Sequence, residues 1–235
     1  MPDLVEQSGG LVSSTVGAIT RLIRDQDLMP GDRLPSEATL ARDLQVSRTV
    51  VREAFRSLAA MRIIELATGK RATVAPIDHG AMSLIIEHGV HTDQISIQQI
   101  YDVRRTIETR IVTLAALRRS EEEADIIRRE AASMRASIGV SEALMHHDLS
   151  FHMALARASK NPVFGLIVGA FQGITAQTWP IGWRSRTTVE ARESMIANHE
   201  RIAAAVSEGD PERAVAAMSL HFDESVRALV SAGLT

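Results

Sequence analysis

Hydrophobic positions in the first third of the chain follow a helical period three times and then change to short β-like runs. Helical spacing recurs in an N-terminal segment, in a short segment after Ser36 and in a longer one after Ser47. Both serines are of the type that caps a helix N-terminus. Two β-like runs, 63–66 and 71–74, then flank a turn. The pattern therefore predicts three helices followed by a small hairpin.

From about residue 80 onward the spacing of apolar positions is helical throughout. Ser120 with Glu123 forms a capping box, and Asn161 and Asp210 each precede a proline at the first helical position. The segment TAQTWPIGWRSR is typical of a loop between helices. The predicted helices cover residues 80–89, 97–118, 121–138, 142–158, 162–179, 188–208 and 211–231.

Charge is distributed unevenly along the chain. The formal net charge of −3 disfavours a nucleic-acid partner at first sight. Residues 48–71, however, carry six cationic and two anionic side chains. Local charge, rather than the sum over the chain, governs affinity for a polyanion. Residues 48–71 are therefore a candidate for binding nucleic acid.

Several classes of protein are disfavoured by composition. There is no cysteine, so disulfides, thiolate metal sites and cysteine nucleophiles are excluded. No window approaches about 18 uncharged apolar residues, the length that a membrane span needs. The N-terminal segment MPDLVEQSGG lacks the basic and then apolar pattern of a signal peptide. We therefore expect a cytoplasmic protein with no membrane partner.

Two short helices joined by a tight turn, the second rich in arginine, indicate a helix-turn-helix. Arg48 and Arg52 lie one helical turn apart, so both can enter a major groove, where an arginine fork matches the edge of guanine. The alternative is an ordinary solvated helix that carries surface arginines. The candidate DNA-binding residues, which include hydroxyls near a helix N-terminus and the tip of the hairpin, are Arg33, Ser36, Ser47, Arg48, Thr49, Arg52, Gly69 and Lys70.

Residues 31–76 hold an ordered set of motifs, among them LPSE at 34–37, VSR at 46–48 and VREA at 51–54. The set resembles the winged helix-turn-helix of GntR-family bacterial transcription regulators. The resemblance implies that the residues above approach DNA and that the hairpin tip forms the wing. Ala38 is a departure, because many members carry a DNA-contacting arginine there. We therefore expect a mainly α protein, with a winged helix-turn-helix in residues 1–76 and an all-α bundle of six to seven helices in 77–235.

In the helical part, ionisable side chains lie on stripes that are otherwise apolar. Asp148 and His152 are four residues apart and project together, and His199 and His221 lie on two further predicted helices. A buried aspartate is costly alone, but a divalent cation with neutral imidazoles offsets that cost. Three nitrogens and one carboxylate oxygen suit Zn²⁺, Ni²⁺, Mn²⁺ or Fe²⁺. The alternative is four polar residues that are satisfied separately.

The motifs HHDLSFH at 146–152 and NHERI at 198–202, followed by His221, resemble the FCD effector domain of the FadR subfamily of GntR regulators. The run from Val103 to Glu108 fits the first long helix of that domain. The resemblance implies a metal, with Zn²⁺ as the first choice, held by Asp148, His152, His199 and His221. It also implies a small organic acid whose carboxylate occupies the open metal positions.

Two further residues are candidates for binding that acid. Arg104 shares a stripe with apolar residues, so it either pairs with Glu108 one turn on or clamps the carboxylate of the effector. Trp179, with Trp183, lies in the loop-like segment. One tryptophan could cover the pocket or stack on a sugar acid, and a packing role is equally open.

Together these features predict a ligand-responsive repressor, or less often an activator, that binds a palindromic operator as a homodimer. The first expectation for the effector is a sugar acid, followed by lactate or another short hydroxy or dicarboxylic acid. One alternative is a metal-dependent enzyme with a DNA-binding appendage, since one aspartate and three histidines can also support catalysis. Another is a helical dimerisation domain without a ligand.

Overall fold

The computed structural model describes residues 2–233, with the side chains of residues 2–9 excepted. The described residues form eleven helices and one two-stranded sheet, so the prediction of a mainly α protein is confirmed. Contacts within the chain divide it into two units, with the division between Ala81 and Met82. No helix in the described part has the length and apolar character that crossing a membrane requires.

The first unit contains the three predicted helices and the hairpin. Ser36 and Ser47 each cap the helix that follows, by accepting hydrogen bonds from the backbone N–H groups of Thr39 (3.1 Å) and Val50 (3.3 Å). The strands pair antiparallel and are two residues long each, shorter than the runs that the sequence indicated. The elements are α1 (Pro2–Asp25), α2 (Glu37–Asp43), α3 (Arg48–Ala60), β1 (Ile64–Glu65) and β2 (Thr73–Val74).

The core of this unit lies between the helices and fixes the pose of α3. Phe55 and Leu58 on α3 are buried together with Ile19 of α1 and Leu40 of α2. Between α2 and α3 the chain turns within four residues, with Gln45 in the left-handed region at φ 55°. The apolar face of α3 therefore points inward, and its arginines remain in solvent.

The second unit is helical throughout, and α5, α7, α10 and α11 pack around its main core. Phe151, Met218 and Phe222 are fully buried there. The predicted capping box at Ser120 and the cap at Asp210 are present, and Gly209 ends α10 at φ 72°. The helices are α4 (Gly80–His91), α5 (Ile97–Arg118), α6 (Glu121–Ala136), α7 (Ser141–Ala158), α8 (Pro162–Ala170), α9 (Gln172–Ser185), α10 (Val189–Glu208) and α11 (Pro211–Ser231).

One predicted segment is wrong. The sequence indicated a single helix over 162–179 and then a loop, but the helix breaks at Phe171 and a new helix runs through Pro180 to Ser185. The eight helices from α4 to α11 therefore exceed the expected six to seven. Pro180 removes one backbone donor, yet α9 continues past it, and Ile174 and Trp183 on either side of the proline are buried. Trp179 and Trp183 thus lie on a helix and not in a loop.

Candidate metal centre and nucleic-acid interface

A cleft of about 900 Å³ lies between α3 and the loop that joins β1 to β2. Arg48, Arg52 and Arg56 line it from the helix, and Lys70 and Arg71 line it from the loop. Arg48 and Arg52 are exposed and make no ion pair with any described residue, whereas Arg56 pairs with Glu53. The unpaired arginines leave a net positive cleft on this unit.

The predicted DNA-binding residues are distributed around this cleft. Ser36, Arg48, Arg52, Gly69 and Lys70 line it, and so does Ala38, where the sequence departs from many GntR regulators. Gly69 adopts φ 72° at the tip of the loop, a conformation that favours glycine. The remaining three predicted residues do not line the cleft. Arg33 forms a β-bridge with Thr73 of β2, Ser47 caps α3, and Thr49 is exposed.

In the second unit, three of the four predicted metal ligands meet at one point. Nitrogen atoms of His152 on α7, His199 on α10 and His221 on α11 all lie within 4.8 Å of one another, and the three residues are buried. Asp148, one turn before His152, places Oδ1 2.9 Å from Nε2 of His199. The four side chains thus form one buried cluster that spans three helices.

The ring of His199 is oriented for a ligand that the protein itself does not supply. Nδ1 donates to the backbone carbonyl of Met195 (2.8 Å), one turn back on the same helix, which leaves Nε2 as the lone-pair nitrogen. That Nε2 is buried and makes no hydrogen bond, although Oδ1 of Asp148 lies beside it. Two lone pairs that face each other at this distance fit a cation placed between them.

The ring of His152 is oriented by a carboxylate. Its Nδ1 makes a short contact with Oε2 of Glu108 on α5, which leaves Nε2 for the cluster. The other oxygen of Glu108 accepts from Nε of Arg104 (2.8 Å), and a terminal nitrogen of Arg104 donates to the hydroxyl of Thr175 (3.0 Å). A buried chain of polar groups therefore runs from α9 through α5 to the imidazole on α7.

The ionisation of these groups suits metal binding. Burial alone would raise the pKa of Asp148, but in the metal-free protein the neighbouring imidazoles, His199 foremost, hold this pKa well below its usual range when they are protonated. Burial lowers the pKa of His221 well below its ordinary value, and the nearby His199 and His152 lower it further. An anionic carboxylate and a neutral imidazole are the forms that bind a cation.

A chamber of about 40 Å³ lies beside the cluster and is lined by Asp148, His152 and His221. Both predicted effector residues, Arg104 and Trp179, also line it. The positive charge of Arg104 is already met by Glu108, and the ring of Trp179 stacks on that of Trp183, with centroids 5.5 Å apart. The sequence left two roles open for Arg104, a pair with Glu108 or a contact with the effector. The structure shows the pair with Glu108 and also places Arg104 on the chamber wall.

Two features of the site were missed at the level of sequence. The contact between Glu108 and His152 joins residues on separate helices, and no local pattern signals it. Arg186 follows α9 and lines the chamber, but the sequence places it in a segment that was interpreted as a loop. Among the other histidines, His147 pairs with Glu130 (2.8 Å) and lies outside the cluster.

Both units match known families. Residues 11–74 match the family of bacterial regulatory proteins named gntR, and residues 99–224 match the FCD domain. The chain therefore belongs to the GntR family of bacterial transcriptional regulators and carries an FCD effector domain. Regulators of this family bind DNA operators, so the first unit is the DNA-binding part of this chain.

Individual relatives agree with this assignment. The HTH-type transcriptional regulator LutR of Bacillus subtilis is 30% identical over 204 residues, which cover 85% of this chain and 92% of LutR. The galactonate operon transcriptional repressor of Escherichia coli is 29% identical over 161 residues, which cover 66% of this chain and 69% of that protein. A solved structure described as Streptococcus agalactiae GntR shares the fold, with a TM-score of 0.69, 24% identity and coverage of 92% of this chain and 98% of that one. Because the curated relatives are regulators, the enzyme alternative is set aside and this chain is a regulator of transcription.

Proposed function

We propose that this protein is a repressor whose affinity for its operator is controlled by a small organic acid bound at a divalent metal in the FCD domain. Residues 1–76 form the DNA-binding domain, and residues 77–235 form the effector-binding and dimerisation domain. The observation that carries the proposal is the buried cluster of three histidines and Asp148, which opens on a chamber in the same chain as the cationic cleft.

On the DNA side, Arg48 and Arg52 enter the major groove and read base edges, since both are exposed, unpaired and one turn apart. Lys70 at the wing tip contacts the backbone or the minor groove. The other contacts come from residues that hold phosphates near helix N-termini and the wing, namely Arg33, Ser36, Ser47, Thr49 and Gly69.

On the sensor side, Asp148, His152, His199 and His221 hold the metal. A cation with open positions supplies a Lewis-acidic point to which a carboxylate of the effector binds. Zn²⁺ is the first choice for three imidazoles and one carboxylate, with Ni²⁺, Mn²⁺ and Fe²⁺ as alternatives. Arg104 donates from the wall of the chamber, and Trp179 covers the bound acid.

A sugar acid is the proposed class of effector. One relative is a repressor of a galactonate operon, and this supports the choice, as do the polar groups around the chamber. Two copies of the chain form a homodimer that binds a palindromic operator. The acid favours one of two arrangements of that dimer, and its differential affinity for the two arrangements changes operator binding.

The metal assignment is tested with paired double variants. His199→Ala with His221→Ala removes two ligands, whereas His146→Ala with His147→Ala removes two histidines outside the cluster on α7. We expect elemental analysis to find metal in the wild type and in the control, and almost none in the ligand variant. Full retention of metal in the ligand variant would refute the assignment.

The DNA-binding assignment is tested by fluorescence anisotropy with duplex DNA at low salt. Arg48→Ala removes an unpaired arginine of the cleft, and Arg42→Ala removes an exposed arginine that pairs with Asp43 on α2 and lies outside the cleft. We expect Arg48→Ala to weaken binding by about 1–3 kcal/mol and to retain the metal, and Arg42→Ala to bind almost as the wild type does. Equal binding by both variants would contradict the role of the cleft.

A further inference from the structure

Arg186, the capping residue that follows α9, lies between two cavities of the second unit. It lines the small chamber beside the histidine cluster. It also lines a larger cleft of about 350 Å³, whose other lining residues come from the ends of α9, α10 and α11. Arg186 is therefore the residue common to the inner chamber and the outer cleft.

The side chain of Arg186 is half-buried, and it has no anionic partner among the described residues. Its hydrogen bond goes to the backbone carbonyl of Gly182 (2.6 Å), and no carboxylate lies close enough for an ion pair. Arg104, the other arginine of the chamber, is paired with Glu108. A buried cation without a counter-charge is costly, and burial accordingly lowers the pKa of Arg186. The free donors of Arg186 therefore fit an anion that comes from outside the chain.

The two carboxylates that attract Arg186 at longer range each contact other groups. Asp148 faces His199 in the metal cluster. Glu224 accepts from the side-chain amide of Asn198 (2.6 Å) and, more weakly, from the hydroxyl of Ser194 (3.4 Å). Both attract Arg186 at longer range without pairing with it. The guanidinium of Arg186 is therefore available to pair with an anionic ligand.

The outer cleft is lined by hydroxyl and charged groups. They include Ser185, Thr187, Thr188, Ser194, Glu224 and Arg227. The inner chamber of about 40 Å³ has room for roughly three water-sized groups, at 10–15 Å³ for each. That volume accepts a carboxylate with its adjacent hydroxyl, but a chain of six carbons must extend beyond it into the cleft.

We propose that Arg186, from the boundary between the two cavities, binds the same carboxylate of the effector that the metal would hold, and that a polyhydroxylated tail of the effector lies in the outer cleft. This inference rests on the proposed function, because it assumes that an acid binds beside the metal cluster. Arg186 then selects for an anion, and the hydroxyl-lined cleft selects for a long hydroxylated acid over a short one.

The test is isothermal titration of metal-loaded full-length protein with two probes, lactate as the short acid and galactonate as the long one. Arg186→Met keeps the apolar stem and removes the charge, and Arg184→Met is the matched control, since Arg184 is exposed and lines neither cavity. We expect Arg186→Met to weaken both acids by about 10- to 100-fold with its metal content unchanged, and Arg184→Met to bind as the wild type does. Arg186→Gln serves as the second variant if the first does not fold.

The cleft is tested separately with Ala191→Leu, which adds volume at a residue that lines the cleft but not the chamber. We expect this variant to weaken galactonate at least about tenfold and to leave lactate unchanged, because only the long acid extends past Arg186. If the wild type binds neither acid, the proposed function fails. If it binds both and the Arg186 variants bind them equally well, or if Ala191→Leu does not discriminate between them, this inference fails while the proposed function stands.

Discussion

The contact between Glu108 and His152 makes a prediction about metal affinity. Glu108→Gln keeps the size of the side chain and an oxygen that can accept from Nδ1 of His152, but it removes the negative charge. That charge now orients the imidazole and also neutralises Arg104. The substitution therefore weakens the support of one proposed metal ligand, His152, without changing that residue itself.

The size of the effect follows from the role of Glu108. Partners that orient a ligating histidine typically contribute 10- to 100-fold to metal affinity, or about 1.4–2.8 kcal/mol. A second cost arises because Arg104 stays buried without its counter-charge. Loss of one partner of a buried ion pair costs about 3–5 kcal/mol when nothing replaces it, and the retained acceptor of glutamine reduces this figure. We expect weaker metal binding together with lower stability of the metal-free protein.

The assay is a competition titration of the purified protein with Zn²⁺ and a chelator of known affinity, accompanied by urea unfolding of the metal-free protein. Glu130→Gln is the matched control. Glu130 on α6 makes the same type of carboxylate contact with His147, which lies on α7 like His152 but outside the histidine cluster. The control should keep the affinity of the wild type for Zn²⁺. If Glu108→Gln and Glu130→Gln both bind Zn²⁺ as the wild type does, the positioning role of Glu108 is wrong.

Further predictions concern stability. Phe151→Ala should cost about 3–5 kcal/mol in urea unfolding of the second unit, and Phe55→Ala a similar amount in the first unit, because both rings are buried; losses below 1 kcal/mol would contradict these core assignments. Gly209→Ala should cost about 1 kcal/mol, since Gly209 ends α10 at φ 72°, and calorimetry that finds no lower melting temperature would refute this. Metal-free protein should lose stability steadily as the pH falls from about 7 to about 4. Because folding lowers the pKa of His221, this imidazole binds a proton below about pH 6.5 in the unfolded chain while it stays neutral in the folded one, and the free energy of unfolding falls. The pKa of Asp148 is also lowered on folding, so this carboxylate adds to the loss of stability as the pH approaches about 4. A urea midpoint that does not change over this range would show that these groups are not perturbed in solution.

Much of the helical framework was predictable because its signals are local. Ser36, Ser47, Ser120 and Asp210 cap the helices that the sequence assigned to them. A capping side chain bonds to the backbone two or three residues away, so the pattern and the structure it predicts lie in the same short segment. The broken helix at Phe171 was missed for the opposite reason. At the break, Phe171 is buried together with Ile100 of α5, a contact between distant residues that the local pattern does not contain.

In the candidate site, too, the residues with a local signal could be predicted, and the contacts between helices could not. Asp148, His152, His199 and His221 could be grouped as candidate ligands because each lies on an apolar stripe of its own helix, which is a local property. The pairing of Glu108 with His152 and the unpaired charge of Arg186 depend on how α5, α7 and α9 meet. Apolar periodicity says which face of a helix is buried, but it does not say which polar groups meet across the interface.

The histidine cluster has a mechanical consequence in a chain that contains no cysteine. Its side chains come from α7, α10 and α11, so a cation held among them would tie together segments that are far apart in sequence. Closing such long loops removes conformational entropy from the unfolded chain, as a disulfide does. Unlike a disulfide, this tie is opened by a chelator or by acid, and not by a reductant. An ion at this site would thus act both as the proposed point of effector binding and as a removable cross-link that sets the rigidity of the FCD domain.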